Sequence, residues 1–358
     1  MANHPETSRE HNNNRTGYFL NIIFLCSMIL ISLIVCLILF LRVQRLEARM
    51  EESGSDGDEV LYTQTDMDRA VLQARATERR NVMLQIQSSL ESGNSMLSML
   101  REIFPETVVV VHDGRYFFYP LQGNLAANPY PRGSFAEDES GRMVYAGDDS
   151  RIRALCGVAV SQESGNIDWE SAVEDQVSFA MLRALSAERD ESGAVSYEED
   201  ERARDYAAQA MQAGIRIGFY ADLDAMTAEE ADREAEMALS LIPSGLTEPC
   251  VVAACLEVPD ADDPLAGMSA GSWTTCAKVF CGKIREAGHT PVLCGSAASL
   301  NIMLDLSEFE DVDKWLTGTT DPSVYPYAFK WWEYSVSGNV SGIDGEARML
   351  LEMQRGEE

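Results

Sequence analysis

Apolar and polar positions divide the chain into stretches of different period. Tyr18 to Leu41 runs for twenty-four residues without a charged side chain, and about 20 helical residues span a hydrocarbon layer. The stretch is apolar on every face and leads into Arg42-Val43-Gln44-Arg45 rather than a small-residue cleavage site, so an uncleaved transmembrane helix over 18–41 is expected behind a tail of residues 1–17. Residues 42–104 then read as linker and helix, with a breaker at Ser53-Gly54-Ser55-Asp56-Gly57-Asp58. From about Met67 to Phe104 the period is helical. Met83, Ile86, Leu90, Leu97, Leu100 and Phe104 fall on alternating steps of three and four, with Gly93 in one seam position. Such a seam suits a coiled coil joining two copies through residues 83–104, and equally a helix packed on its own domain. Pro105 stops it.

Beyond it the period shortens. Val108 to Val111 and Arg115 to Tyr119 flank His112-Asp113-Gly114, and Asp-Gly between alternating apolar residues predicts a hairpin. A second pair is expected around Gly147-Asp148-Asp149, making 105–155 a small β region, either a spacer or a binding module. From Cys156 strands and helices alternate. Strands are predicted at 157–161, 177–184, 216–222, 250–258, 290–296, 313–319, 329–336 and 347–352. Amphipathic helices are predicted at Glu198–Ala213, stopped by Gly214, and at Thr227–Leu241, capped by Thr227. Eight strands with intervening helices in about 200 residues predict an α/β fold, a TIM-like β/α barrel over 156–358. An open doubly wound sheet is the alternative, although no glycine-rich phosphate loop follows the first strand.

Charge narrows the partners. With 58 acidic against 28 basic residues the formal charge is -30, and no Lys/Arg cluster opposes it, so nucleic acid is not expected as a partner. Arg9 and Arg15 precede the apolar run while Arg42, Arg45 and Arg49 follow it, a weak bias toward a cytoplasmic C-terminal part. Of eight cysteines, Cys26 and Cys36 lie in the apolar run; the other six permit disulfides without demanding them, and their spacing fits no zinc pattern. No metal or cofactor is expected.

A collinear series of short segments resembles the family 25 glycoside hydrolases, the lysozyme-type muramidases. It begins with Gly157-Val158-Ala159-Val160-Ser161 and Gly165-Asn166-Ile167-Asp168-Trp169, and continues through Phe179 to Arg183, Ala213-Gly214-Ile215 and Gly218-Phe219-Tyr220. Lys278-Val279-Phe280-Cys281, Ala287-Gly288-His289-Thr290-Pro291, Tyr325-Pro326-Tyr327, Trp332-Glu333-Tyr334-Ser335 and Gly342-Ile343 complete it. The resemblance covers about 157 to 352. It implies a barrel outside the cytoplasm, cleavage of the β-1,4 bond between N-acetylmuramic acid and N-acetylglucosamine in peptidoglycan, and acidic residues at strand ends, one protonating the leaving oxygen and another serving the opposite face.

The acids that the resemblance calls for are missing. The strand-end Asp is Ala159. The Asp-x-Glu pair becomes Ala253 and Cys255, or Cys255 and Glu257 if slid by two. The late Asp is Arg348. The shell has changed too, with Tyr220-Ala221-Asp222 and Trp332-Glu333-Tyr334 in place of Tyr-His-Phe and Trp-Gln-Tyr. Loss of one general acid or base costs about 10²–10⁴ in rate, so the expectation is a membrane-anchored, catalytically inactive protein that binds peptidoglycan or a partner. The alternative is a slow or altered muramidase using Glu257 as acid with Glu333 or Asp222; Asp224 also falls near a strand end. Substrate contacts are expected from Arg183, Tyr220, Asp222, Trp332, Glu333 and Tyr334, and Trp169 is a further candidate for stacking on sugar. Cys255 and Cys294 fall near the ends of adjacent strands, where a disulfide would block the mouth and two free thiols would simply line it.

Overall fold

The computed structural model describes residues 37–44, 63–93, 95–190 and 193–356. Two compact units emerge, 1–79 and 80–358. In the first, α1 (37–44) and the leading part of α2 (Gln64–Glu91) are helical with exposed side chains such as Met67 and Leu72. Among the described residues no helix is long and apolar enough to cross a membrane. Most of the apolar run from Tyr18 lies outside those residues, as do Cys26 and the breaker at Ser53.

The second unit opens with a correction. One helix through Phe104 was expected, but α2 ends at Glu91 and α3 (Met96–Ile103) starts anew. Gly93 adopts φ +69°, the left-handed conformation open to glycine at helix ends, and the Ser95 hydroxyl accepts from the Ser98 N–H at 3.1 Å to cap α3. The predicted seam is therefore split. Met83 and Leu90 are exposed on α2, while Leu97 and Leu100 are half-buried on α3.

The first hairpin forms where alternation placed it. β1 (Thr107–His112) pairs antiparallel with β2 (Arg115–Pro120), His112 opposite Arg115. The two turn residues, Asp113 (φ 48°) and Gly114 (φ 70°), have the positive angles of a tight hairpin. The second pair is displaced from its predicted place. β3 (Phe135–Glu137) pairs with β4 (Met143–Tyr145), because Asp138 turns the chain by accepting from the Ser140 N–H at 2.8 Å and the Arg142 N–H at 3.0 Å. Asp149 instead holds Arg151 at 2.8 Å at the foot of the next strand.

Eight strands close the barrel. In chain order they are β5 (Ile152–Val160), β6 (Phe179–Arg189), β8 (Arg216–Asp222), β9 (Val251–Leu256), β10 (Thr290–Ser296), β11 (Asp313–Thr317), β12 (Trp331–Gly338) and β13 (Ala347–Arg355). A ninth, β7 (Val195–Glu199), folds back antiparallel on the far end of β6. Neighbours follow sequence order, and β13 returns to β5 to complete the ring, which excludes the open sheet. The first seven barrel strands run parallel; β13 is antiparallel to both its neighbours. α4 (Trp169–Glu174), α5 (Ala203–Gln212), α6 (Ala228–Ser240), α7 (Ala270–Glu286) and α8 (Ala297–Met303) lie between strands. Thr227 caps α6 and Gly214 follows α5 with φ +82°, as predicted. Glu198 and Glu199 belong to β7 rather than to a helix, so α5 begins five residues later than expected.

Period two sorts the side chains. Ala159, Met181, Tyr220, Ala253, Val292, Cys294, Trp315 and Leu350 cluster inside the barrel, and a larger apolar layer separates the strands from the helices. Glycine makes the interior fit at two places. A Cβ on Gly157 would overlap the Phe179 ring, and one on Gly218 would come within 2.5 Å of the Met181 sulfur.

Candidate functional site

The carboxyl ends of the parallel strands open into a cleft of about 730 Å³, within the range of ligand pockets. Its wall comes from Asp222 at the end of β8 and Asp224 beyond it, Cys255 and Glu257 at the end of β9, Ser296 at the end of β10, Thr317 of β11, Glu333 of β12 and Arg348 of β13. Asp222, Asp224, Glu257 and Glu333, which the strand pattern placed near strand ends, thus share one cleft.

Its floor differs from what hydrolysis would need. Ala159 and Ala253 are buried inside the barrel and offer no polar atom. Ala159 lies opposite Arg348 in the β5–β13 ladder. Arg348 spans the floor, its Nε and Nη2 both donating to Glu333 Oε2 at 2.8 and 2.6 Å. The guanidinium lies over the rings of Tyr220 (5.3 Å) and Trp315 (5.5 Å), where aromatic faces attract a cation. Burial pushes the Glu333 carboxyl above its ordinary value although Arg348 pulls it down; burial lowers the Arg348 guanidinium, but Glu333 together with Cys255, Tyr220 and Cys294 holds it above its ordinary value. A carboxylate so engaged is an ion-pair partner and is not free to move a proton.

The remaining acids stand higher. Arg183 Nη2 meets Asp222 Oδ2 at 3.0 Å. Glu257 is exposed on the rim just past β9. Asp224 behaves differently: burial, reinforced by the neighbouring Asp222, pushes its carboxyl up to about 6. Partial burial with a value near neutrality is the property of a proton donor, and unlike Glu333, which Arg348 holds in an ion pair, the Asp224 carboxyl has no such cation in contact with it among the described residues. Spacing along the chain placed it near the mouth, but nothing in the local sequence announces the burial that shifts it.

Cys255 and Cys294 are opposite one another in the β9–β10 register and face inward. Both are free thiols. Burial raises the Cys294 thiol well above its ordinary value, and its hydrogen bond with Cys255 adds to the rise.

Three expected sugar contacts lie elsewhere. Trp332 is fully buried on the outer face of β12, its Nε1 donating to the Thr319 carbonyl at 3.0 Å and its ring packed on Phe135 at 5.0 Å. Tyr334 shares that face and packs on Trp332. Trp169 is buried against Tyr206. For Trp332 and Tyr334 the reason is strand phase: with Glu333 inward, both its neighbours must point outward. Tyr220 faces inward, but it is 5% exposed beneath Arg348. No group of three or more His, Cys, Asp or Glu among the described residues is placed to hold a metal ion.

No family model matches the chain, and no curated protein matches it. Solved structures do resemble it. A bacterial lysozyme from Streptomyces coelicolor is 22% identical over 55% of this chain and 90% of its own, with a TM-score of 0.44. A family 25 glycosyl hydrolase from Bacillus anthracis is 20% identical over 62% of this chain and 96% of its own, at 0.47. A family GH25 lysozyme from Aspergillus fumigatus is 15% identical over 56% and 93%, at 0.44. At TM-scores below 0.5 these likenesses do not establish a family, and the barrel stands on its own strand order.

Proposed function

We propose that this chain is a lysozyme-like barrel that binds peptidoglycan, or a fragment of it, at the mouth without cleaving the glycan. The observation that carries the reading is the floor of the cleft: alanines at 159 and 253, and Arg348 locked to Glu333. Glycoside hydrolysis needs two free carboxyl groups across the scissile bond, and this floor supplies none. The cleft above it is large enough for sugar, with Asp222, which Arg183 holds by a hydrogen bond, as an acceptor on its wall. We also propose that residues 18–41 anchor the chain in a membrane with the barrel outside the cytoplasm, a reading that protease accessibility on intact cells would test. Pairing of two copies would fall to the exposed apolar residues Met83 and Leu90 of α2 rather than to a continuous seam.

The test is to incubate purified protein with purified cell wall, assaying sedimentation with the wall and release of reducing ends together. Binding with no release above buffer is expected. Release that is abolished by Asp224→Asn would establish the second reading, a slow or altered muramidase with Asp224 as its acid. That reading draws on the raised Asp224 carboxyl beside Asp222.

A further inference from the structure

A second cleft, of about 450 Å³, adjoins the mouth and shares Ser296 and Gly318 with it. One wall is β1 of the hairpin; the other is the barrel rim, including Thr319 and Tyr325. In a chain with 58 acidic residues, no Asp or Glu lines this cleft, whereas Arg101 of α3 does. Arg101 is half-buried, and its Nε donates to the Val109 carbonyl at 3.2 Å. Among the described residues its two Nη groups have no hydrogen-bond partner, and Asp321 is the opposite charge within electrostatic reach.

Backbone direction supplies the second observation. Leu121 N–H bonds the Glu106 carbonyl at 3.0 Å, and the hairpin closes between His112 and Arg115. In an antiparallel pair the residues that exchange hydrogen bonds alternate with those that do not. Val108, Val110 and His112 therefore bond to β2, and Val109 and Val111 turn their N–H and C=O groups to the opposite edge. Arg101 reaches Val109 from that edge. β1 lines the cleft from Thr107 to His112, with Val109 only 1% exposed. On that edge the Thr107 N–H bonds the Phe104 carbonyl at 3.0 Å and the Val109 carbonyl takes Arg101, which leaves Val111 as the open position among the described residues, and an open strand edge lining a cleft is where an extended peptide adds as a further strand.

We propose that this cleft binds a short extended peptide with a free C-terminal carboxylate, the carboxylate on the Arg101 guanidinium and the residue before it paired with the open edge of β1 at Val111. A guanidinium matches a carboxylate through two parallel N–H donors, and the absence of acids in the lining leaves that charge to the ligand. Val108, Val110 and Leu121 along the cleft select small apolar side chains. The proposal is independent of what the barrel mouth holds.

The test is calorimetric titration of the detergent-solubilised full chain with acetyl-Ala-Ala-Ala as free acid and as carboxamide. The acid should bind about tenfold or more tightly than the amide, since the charge-assisted pair is lost with the latter. Arg101→Gln should bring the acid down to the amide. Val111→Pro removes one open-edge donor while leaving the pairs with β2 intact, and should weaken both peptides. Circular dichroism melts check that each variant folds; if the proline variant does not, Arg101→Gln and the acid–amide comparison decide alone. Equal affinity for acid and amide, unchanged affinity in Arg101→Gln, or no heat from either peptide at about 10 mM, weaker than any useful site, would overturn the proposal.

Discussion

Arg348 shows how one side chain organises a site. A cation at the start of β13 needs a buried counter-charge, and Glu333, 5% exposed on the neighbouring strand, supplies it. Removing one partner of such a pair strands the other, at a cost of about 3–5 kcal/mol. Arg348→Met should therefore destabilise the barrel by about that amount in urea unfolding, whereas adding Glu333→Gln should restore most of the loss. Equal stability of the single and double variants would mean that Glu333 is not stranded by the loss of Arg348. The sequence displayed both residues and their places near strand ends, since these follow from position within a strand. It did not display their pairing, which depends on β12 and β13 lying side by side with an irregular register between Glu333 and Ser335.

At the level of elements, the eight barrel strands were legible because each is a short apolar run bounded by turn residues, and all eight appear within a few residues of their predicted places. The errors share a cause. Gly93, β7 and the β3–β4 turn are each decided by a single backbone conformation or capping side chain, which hydrophobic period does not register. Trp332 and Tyr334 illustrate a different gap, because inward and outward phase on a strand buried on both faces leaves no alternation to read. Glu234 of α6 was equally hidden. It is fully buried, and burial, with Asp224 nearby, pushes its carboxyl up to about 9. Between its ordinary value and about 9 the folded state binds the proton and the unfolded chain does not, so stability falls as pH rises through that window. Glu234→Gln should flatten the dependence of melting temperature on pH between about 5 and 9. An unchanged slope would place the dependence on other groups.

For the whole molecule, different residues set the closed ring and the floor of the cleft: apolar packing closes the barrel, while Ala159, Ala253 and the Arg348–Glu333 pair make the floor. Introducing Ala159→Asp, Ala253→Asp and Arg348→Asp together should yield little reducing-end release from cell wall. Those three changes leave Glu333 without its cation, and misplacement by about 1 Å can cost 10²-fold. Turnover comparable with an active muramidase would show that the rest of the mouth is still arranged for hydrolysis.

The antiparallel closure by β13 also has a mechanical consequence. Ile152 and Arg355 are opposite each other at one end of the β5–β13 ladder, and Gly356 N–H bonds the Arg151 carbonyl at 2.9 Å. A load applied between residues 151 and 356 pulls both strands from the same end. It would meet the ladder's hydrogen bonds one pair after another, from Arg355 toward Arg348, instead of all together. The seam that completes the ring is thus the one such tension would peel like a zip, and peeling would part Arg348 from Ala159 only after every pair below it had opened.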